Sequence, residues 1–460
     1  MASNYMDRPE YVGEQMLELN QVNISRRFVM DEESADWIYV PEWGAWNQWD
    51  GTRWVKTIDE GIVRSIANVV EAVQQDSETS RKDAVFFNRQ LSFGALNSIA
   101  KLSKPDMQMP HTAFESALGF FNVRNGVINL GSGKMIAHAR EDLHRFISPV
   151  EYNKNAKCPR WMQFMGEVTC GDKPTELFLQ RMVGYVMSGY TNEQCLFMLL
   201  GGGANGKSVF LSTIRSLMGD YGATSHSKAI MKKQNDNNTS DLAALEDRRY
   251  VEIQETELGA RLAEGLVKSY TGGEAVPCRF LNKEWFSYVP KFKMVIATNH
   301  TPVVHGTDQG IWRRVKLIPF DLQIPVEERD PGLTERLRSE LPGILNWAVK
   351  GYAMWKELGL QVPQSVTKAT DDYRTEMDPI HDFLLDFCVP DEERKVPANV
   401  LYMAFNGYRK DEGFTNPPSG KAFGRMMVDK GYKRIRTAQG YHYVGLRFNS
   451  DKDPTPLGPF

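Results

Sequence analysis

A short apolar run, Cys195 to Leu200 (CLFMLL), leads directly into GGGANGKS, Gly201 to Ser208, and then into VFLSTIRSLMG, spaced like an amphipathic helix. No other stretch restricts the fold so tightly. An apolar run of that length predicts a strand buried on both faces of a parallel sheet. Glycines let backbone N–H groups curl around phosphate oxygens without side-chain clashes, and the helix N-terminus adds its partial positive charge. Strand, G-x-x-x-x-G-K-[ST] and helix together make a Walker A loop. Gly201, Gly202, Gly203, Ala204, Asn205 and Gly206 form its cradle. Lys207 is expected to bridge the β- and γ-phosphates, and Ser208 to place its hydroxyl on Mg²⁺. A chance match in a chain of 460 residues is on the order of one in fifty. ATP or another nucleoside triphosphate is the expected ligand. A second glycine-rich stretch, Gly131-Ser132-Gly133-Lys134, lacks the second glycine at the right offset and the following hydroxyl residue, so it predicts only a turn.

A phosphate loop alone does not separate a kinase from a motor, so the downstream residues decide. Tyr250 to Gln254 reads as a strand ending at Glu255, the expected Walker B acid at the carboxyl end of the neighbouring strand. Glu255 is the candidate for polarising the attacking water and for meeting Mg²⁺. Gln254 stands where many such motifs carry an acid, which leaves contact through water open. Glu252 is awkward in mid-strand, and Glu257 suits a solvated acidic turn. Met294 to Ala297 is a further apolar strand ending in Thr298-Asn299, where an amide could sense the γ-phosphate or the lytic water; the alternative is an Asn turn before Pro302. Arg313 and Arg314 in IWRRVKLIPF are candidates for an arginine finger acting on a neighbouring subunit, or for a surface salt bridge. Between these strands, Thr271-Gly272-Gly273 breaks a helix, and two strand-like pieces flank Leu281-Asn282-Lys283-Glu284. That pattern predicts an inserted β-hairpin with Lys283 at or near its tip. Lys268, Arg279 and Lys283 are the expected phosphate-contacting cations there.

Composition matters here because nothing global advertises a nucleic-acid binder. Lys+Arg 55 against Asp+Glu 58 leaves a net charge of −3, so DNA contact must come from local patches. No apolar run approaches the ~18 residues of a membrane span, and MASNYMDRPE lacks a signal-peptide layout. Five scattered cysteines without a C-x-x-C pair argue against a disulfide framework or zinc ribbon and fit a reduced cytoplasmic compartment.

Five tryptophans, Trp37, Trp43, Trp46, Trp49 and Trp54, crowd the N-terminal stretch around a predicted Asp50-Gly51 turn. With only Arg53 and Lys56 nearby, they read as hairpin packing rather than a base-stacking platform. Helix is predicted from about Glu60 to Asp106, a second hairpin-like segment at NVRNGVINLGSGKMIAH, and helix again from Pro159 to Gly189. Near the C-terminus, Lys421, Arg425, Lys430, Lys433, Arg434, Arg436 and Arg447 oppose one acid, Asp429. A helix at SGKAFGRMMVDKGYKRIR, a Gln439-Gly440 turn and YHYVGLRF suggest a winged-helix layout, with Arg425, Lys433, Arg434 and Arg436 as candidate DNA contacts. The proline-rich residues after Ser450 are expected to be disordered.

Taken together, GGGANGKS, YVEIQETE, LVKSYTGGE with its hairpin, MVIATNHTP and WRRVKLIPF resemble a superfamily 3 helicase of the AAA+ class. More narrowly, the chain is similar to the helicase half of phage and plasmid primase–helicases and their poxvirus relatives, over roughly Asn122 to Phe387. Glu274, where the family often has Asp, is a minor departure. The resemblance implies a homohexameric ring around single-stranded DNA, ATP sites at subunit interfaces and 3′→5′ movement. It also implies Lys207 and Ser208 as the Walker A pair, Glu255 as the Walker B acid, Asn299 as sensor, Arg313 or Arg314 as finger and Lys283 as the pore-hairpin residue. No spaced acidic triad for nucleotidyl transfer precedes Gly201, so a primase or polymerase is expected as a separate partner or in a longer parent chain.

The expected fold class is α/β: an AAA+ P-loop core with a parallel sheet, preceded by a mixed, helical N-terminal region and followed by a helical segment and a winged-helix-like domain. Expected boundaries are a Trp-rich and helical region at 1–110, a mostly helical collar at 111–190 and the ATPase core at 191–325. A helical segment at 326–380, a winged-helix-like domain at 381–450 and a disordered tail at 451–460 complete them. The leading function is an ATP-dependent helicase acting on single-stranded and forked DNA. An origin-remodelling or loading ATPase is the alternative, and a nucleotide kinase the third class.

Overall fold

In the computed structural model, the described residues are 18–57, 60–76, 81–226, 230–231, 239–254, 260–304, 309–378, 380–411 and 418–449. The N-terminal tryptophans are packing residues. Strands β1 (Trp37–Val40), β2 (Ala45–Trp49) and β3 (Trp54–Lys56) form an antiparallel sheet beside helices α1 (Gln21–Met30), α2 (Glu60–Asp76), α3 (Arg81–Gln90) and α4 (Phe93–Ser103). Trp37 and Trp46 share one core with Ile62, Ile66, Val69 and Val70 of α2, the residues whose helical spacing is visible in the sequence. Trp43 and Trp54 fill a second core with Phe114. The β2–β3 turn forms where Asp50-Gly51 predicts it. The Asp50 carboxylate accepts the N–H groups of Thr52 and Arg53 at 2.8 and 2.9 Å, and Gly51 supplies φ +94°.

The expectation of a mostly helical region at 111–190 holds only for its second half. Residues 111–158 carry an antiparallel meander of β4 (Phe120–Val123), β5 (Gly126–Asn129) and β6 (Lys134–Ile136). Helices α5 (Pro159–Val168) and α6 (Lys173–Ser188) come only after it. Turns at Asn125-Gly126 and Gly131-Ser132-Gly133 break any helical period, and a Cβ at Gly126 would lie 2.6 Å from the Ile136 carbonyl.

Strands β7 (Leu196–Leu200), β8 (Gly222–His226), β9 (Tyr250–Gln254), β12 (Lys293–Thr298) and β13 (Val315–Pro319) form one all-parallel sheet in the order β13-β7-β12-β9-β8. This is the α/β core the sequence predicts. Strand β7 lies between two partners, which explains its unbroken apolar run. One expectation needs correcting. The strand leading to Glu255, β9, is not the neighbour of the phosphate-loop strand; β12 lies between them. Connecting helices are α7 (Lys207–Met218), α8 (Ser240–Ala243), α9 (Glu264–Thr271) and α10 (Gln309–Trp312), and β10 (Val276–Cys278) pairs with β11 (Phe286–Tyr288) as the inserted hairpin.

Beyond the sheet come α11 (Leu333–Ser339), α12 (Leu341–Leu358) and α13 (Gln364–Glu376). Helices α6 and α12 cross at glycines: a Cβ on Gly184 would run into the backbone of Tyr352, and one on Gly351 into the Gln180 carbonyl. The C-terminal module contains α14 (His381–Phe387), β14 (Cys388–Pro397), α15 (Ala398–Asp411), α16 (Gly420–Asp429), β15 (Arg434–Thr437) and β16 (Gly440–Phe448). Its antiparallel order β14-β16-β15 makes the expected helix and wing, with β14 as a third strand that the proline-bracketed CVPDEERKVP did not announce. No helix among the described residues is long and apolar enough to cross a membrane.

Candidate nucleotide site

Gly201 to Gly206 reverse the chain between the carboxyl end of β7 and the start of α7. Gly203, Ala204 and Gly206 sit at φ +101°, +50° and +86°, the left-handed backbone from which successive N–H groups can converge on an anion. A Cβ at Gly206 would come 2.5 Å from Val168, so the loop is packed from behind by α5. Asn205 is buried, and its amide donates to the Phe320 carbonyl at 3.1 Å, tethering the loop to the chain just past β13.

Lys207 is buried at the first position of α7. Its Nζ donates to the Gly201 carbonyl at 2.6 Å, to Asn205 Oδ1 at 3.2 Å and to Asn299 Oδ1 at 3.3 Å. Burial lowers its pKa from the ordinary lysine value. Asn299 comes from the tip of β12, beside β7. Thr298 Oγ1 accepts the His300 N–H at 3.1 Å in the turn that presents Asn299. The exposed Ser208 hydroxyl, Arg215, Glu252 and Asn299 line the same cleft of about 690 Å³. Its volume and the left-handed backbone of the loop that lines it fit a nucleoside triphosphate. Glu252, 5% exposed and 3.9 Å from Arg215 Nη1, is an acid in this cleft that the sequence flags only as a charge out of place in a strand. Glu255 lies outside the described residues.

The two arginines separate. Arg314 is buried and donates to Thr271 Oγ1 at 2.9 Å and to the Gly310 carbonyl at 2.5 Å, so it braces its own chain. Arg313 is exposed, with one donation to Gln194 Oε1 at 3.1 Å. Both precede β13, at the end of the parallel sheet opposite the phosphate loop, about 16 Å away by strand rise.

Lys283 is exposed in the turn of the β10–β11 hairpin, next to Asn282 at φ +58°. It reaches back over the head, since a Cβ on Gly44 would lie 3.0 Å from its Nζ. Leu281 and Trp285 are 74% and 53% exposed, and the Arg279 guanidinium lies 4.8 Å from the Trp285 ring centre. Lys268 is not on the hairpin; it is half-buried on α9. In the C-terminal module Arg425, Lys433, Arg434 and Arg436 are exposed, while Lys430 and Arg447 pair with Asp378 and Asp391.

A buried ionic network, with no sequence signal of its own, ties the head and meander to the chain just before β9. Arg249 and Glu115, both 0% exposed, pair at 3.1 Å, and Arg249 also donates to the Phe120 and Met187 carbonyls. Asp247 meets Arg145 and Lys291 at 3.1 and 2.6 Å, Trp43 donates to Glu246 at 2.8 Å, and His111 pairs with the same carboxylate. Burial alone would raise the Glu115 pKa. His144, Arg249 and the Arg145 N–H instead hold it down to about 2.

Residues 26–170 match the family described as D5 N terminal like, and residues 375–440 match Poxvirus D5 protein-like. Residues 199–314, which carry the phosphate loop, match a Family of unknown function (DUF5906). A protein of Acanthamoeba polyphaga mimivirus named "Putative helicase" is 23% identical over 78% of this chain and 42% of its own length. The chain is primase–helicase-like. A protein of frog virus 3 with the same helicase name is 22% identical over 59% of the chain and 30% of its own length. An African swine fever virus protein named "Putative primase" is 23% identical over 42% of the chain and 21% of its own length. The chain thus spans less than half the length of these curated relatives. Among solved structures, the apo NrS-1 C-terminal region superposes with a TM-score of 0.50 at 9% identity, covering 95% of this chain and 100% of that one.

Proposed function

We propose that this chain is the ATP-driven motor of a viral or mobile-element DNA helicase, working as a hexameric ring that moves 3′→5′ on single-stranded DNA. One observation carries the proposal: the phosphate loop, Lys207 and Asn299, distant in sequence, meet in one cleft with Lys207 Nζ 3.3 Å from the Asn299 amide oxygen. In this reading the loop N–H groups and Lys207 grip the β- and γ-phosphates, and Asn299 orients the attacking water. Glu255 acts as general base. Ser208 and Glu255 are the residues that would hold Mg²⁺, which when bound neutralises charge on the phosphates. Arg313 is the finger for the next subunit's ATP, supported by its exposure and its distance from its own phosphate loop. Lys283 grips the strand in the ring hole, while Arg425, Lys433, Arg434 and Arg436 contact DNA at the wing. A primase or polymerase on another chain or segment supplies primers, and the work is done in the cytoplasm of the infected cell.

Strand displacement from a forked substrate tests the motor. Wild type releases the strand with ATP, and Lys283→Ala keeps most of its ATPase but loses displacement. A protein that binds the fork, hydrolyses ATP and never releases a strand is a loader instead, and the motor reading is then wrong.

A further inference from the structure

A separate cleft of about 380 Å³ lies between the wing and the helices of the C-terminal module. The register Arg434↔Tyr443 and Arg436↔Tyr441 puts these four side chains on one face of the β15–β16 ribbon. Tyr443 is buried against Phe423 and floors the cleft. Tyr402 lines a wall, its hydroxyl fixed by donation to the Pro418 carbonyl at 2.8 Å. Farther out, Tyr441 remains 48% exposed, with the Arg434 guanidinium 3.9 Å and the Arg436 guanidinium 5.9 Å from its ring centre. Asn399 and Gln439 add amide donors and acceptors at the rim.

This combination has a chemical meaning. An exposed cation–π contact adds only about 0.5–1 kcal/mol to folding, little reason to keep a large ring in water. Arg434 lies over one face of the Tyr441 ring, and the exposed remainder of that ring, beside two permanently charged, planar cations, matches a base and its phosphate. The cleft is at the small end of ligand pockets, which run to roughly 300–1,000 Å³, so it suits one nucleotide and not a duplex. Only an unpaired nucleotide presents its π-face; within a duplex both faces are covered by neighbours.

We propose that this cleft holds one unpaired nucleotide of single-stranded DNA, its base against Tyr441 and its phosphate against Arg434 or Arg436. The inference rests on the reading that the protein acts on DNA, and it adds a second grip away from the hairpin. The full chain carrying Lys283→Ala, which removes the hairpin contribution, is titrated with labelled oligothymidylate and with a blunt duplex of equal length. Adding Tyr441→Ala weakens oligothymidylate binding about five- to a hundredfold, the range for loss of one stacked base. Tyr441→Phe retains it, and the blunt duplex changes little. Light-induced crosslinking of an iododeoxyuridine oligonucleotide marks Tyr441. Unchanged oligothymidylate affinity for Tyr441→Ala, or an equal loss on the blunt duplex, overturns the assignment; the latter outcome would make the wing a duplex contact. Strand displacement is scored separately. If the chain without substitutions never unwinds while the oligonucleotide still crosslinks through Tyr441, the motor is refuted and the cleft stands.

Discussion

At the residue scale, two buried cations do different work. Lys207 is buried and donates to oxygens of the loop and of the β12 tip, at the place where the proposed function puts a phosphate. Lys207→Ala is expected to cut ATP turnover at least about a hundredfold, the scale for removing one preorganised electrostatic group, as read by phosphate release. Unchanged turnover would refute the cradle. Arg249 is buried for cohesion, joined to Glu115 where neither meets water. Folded Glu115 sits at about 2, below the ordinary 4.5. Its stabilisation is therefore complete above about pH 4.5 and is lost as the pH falls toward 2. Glu115→Gln leaves Arg249 buried without its counter-charge and should cost roughly 3–5 kcal/mol near neutrality. Thermal melts of both proteins should converge as the pH drops through that window; a gap that stays constant would contradict the assignment.

At the element scale, the core behind the parallel sheet depends on how α6 and α12 meet. Tryptophans, tyrosines and Gly184 and Gly351 let the two helices cross closely behind the sheet, with Tyr185 and Trp355 rings 4.8 Å apart. Gly184→Ala has no room at Tyr352 and should destabilise by about 1–3 kcal/mol, seen as a lower melting temperature. ATP affinity of the fraction that remains folded should be preserved. Equal stability would mean the crossing is looser than described. The hairpin is legible as two short strands around Lys283, but its contact with the head is not. Neither Gly44 nor Phe280 carries a pairing signal, and only folding brings Lys283 over one and Lys56 within 5.6 Å of the other.

At the scale of the whole molecule, Arg313 lies at the end of the parallel sheet opposite the phosphate loop of its own chain, so in the proposed function it cannot serve a triphosphate held there. A ring of copies would bring that exposed arginine to a neighbour's phosphate loop. Arg313→Ala should therefore lose roughly 10³-fold or more in turnover, by the scale of arginine fingers. Mixing it with Lys207→Ala protein should restore activity, because some interfaces then pair an intact loop with an intact finger. Arg314→Ala should instead lower stability, since that side chain braces Thr271 and Gly310. Activity in the Arg313→Ala mixture no greater than the sum of its parts would show that hydrolysis is completed within one protomer.

Local chemistry made the phosphate loop, its flanking strand and helix, the Asp50-Gly51 turn and the wing legible, because each is set by glycine freedom, apolar period or charge within a few residues. The order of the parallel strands was not legible in that way: β12 inserts between β7 and β9 through pairings far apart in the chain, Val295 with Phe197 and Lys293 with Tyr250. Nor could local pattern tell which of two adjacent arginines would be buried, place Glu252 in the nucleotide cleft, or couple Glu115 to Arg249. Those outcomes depend on which surfaces meet after folding, and a side chain's charge is given its role only by the partners that packing brings to it.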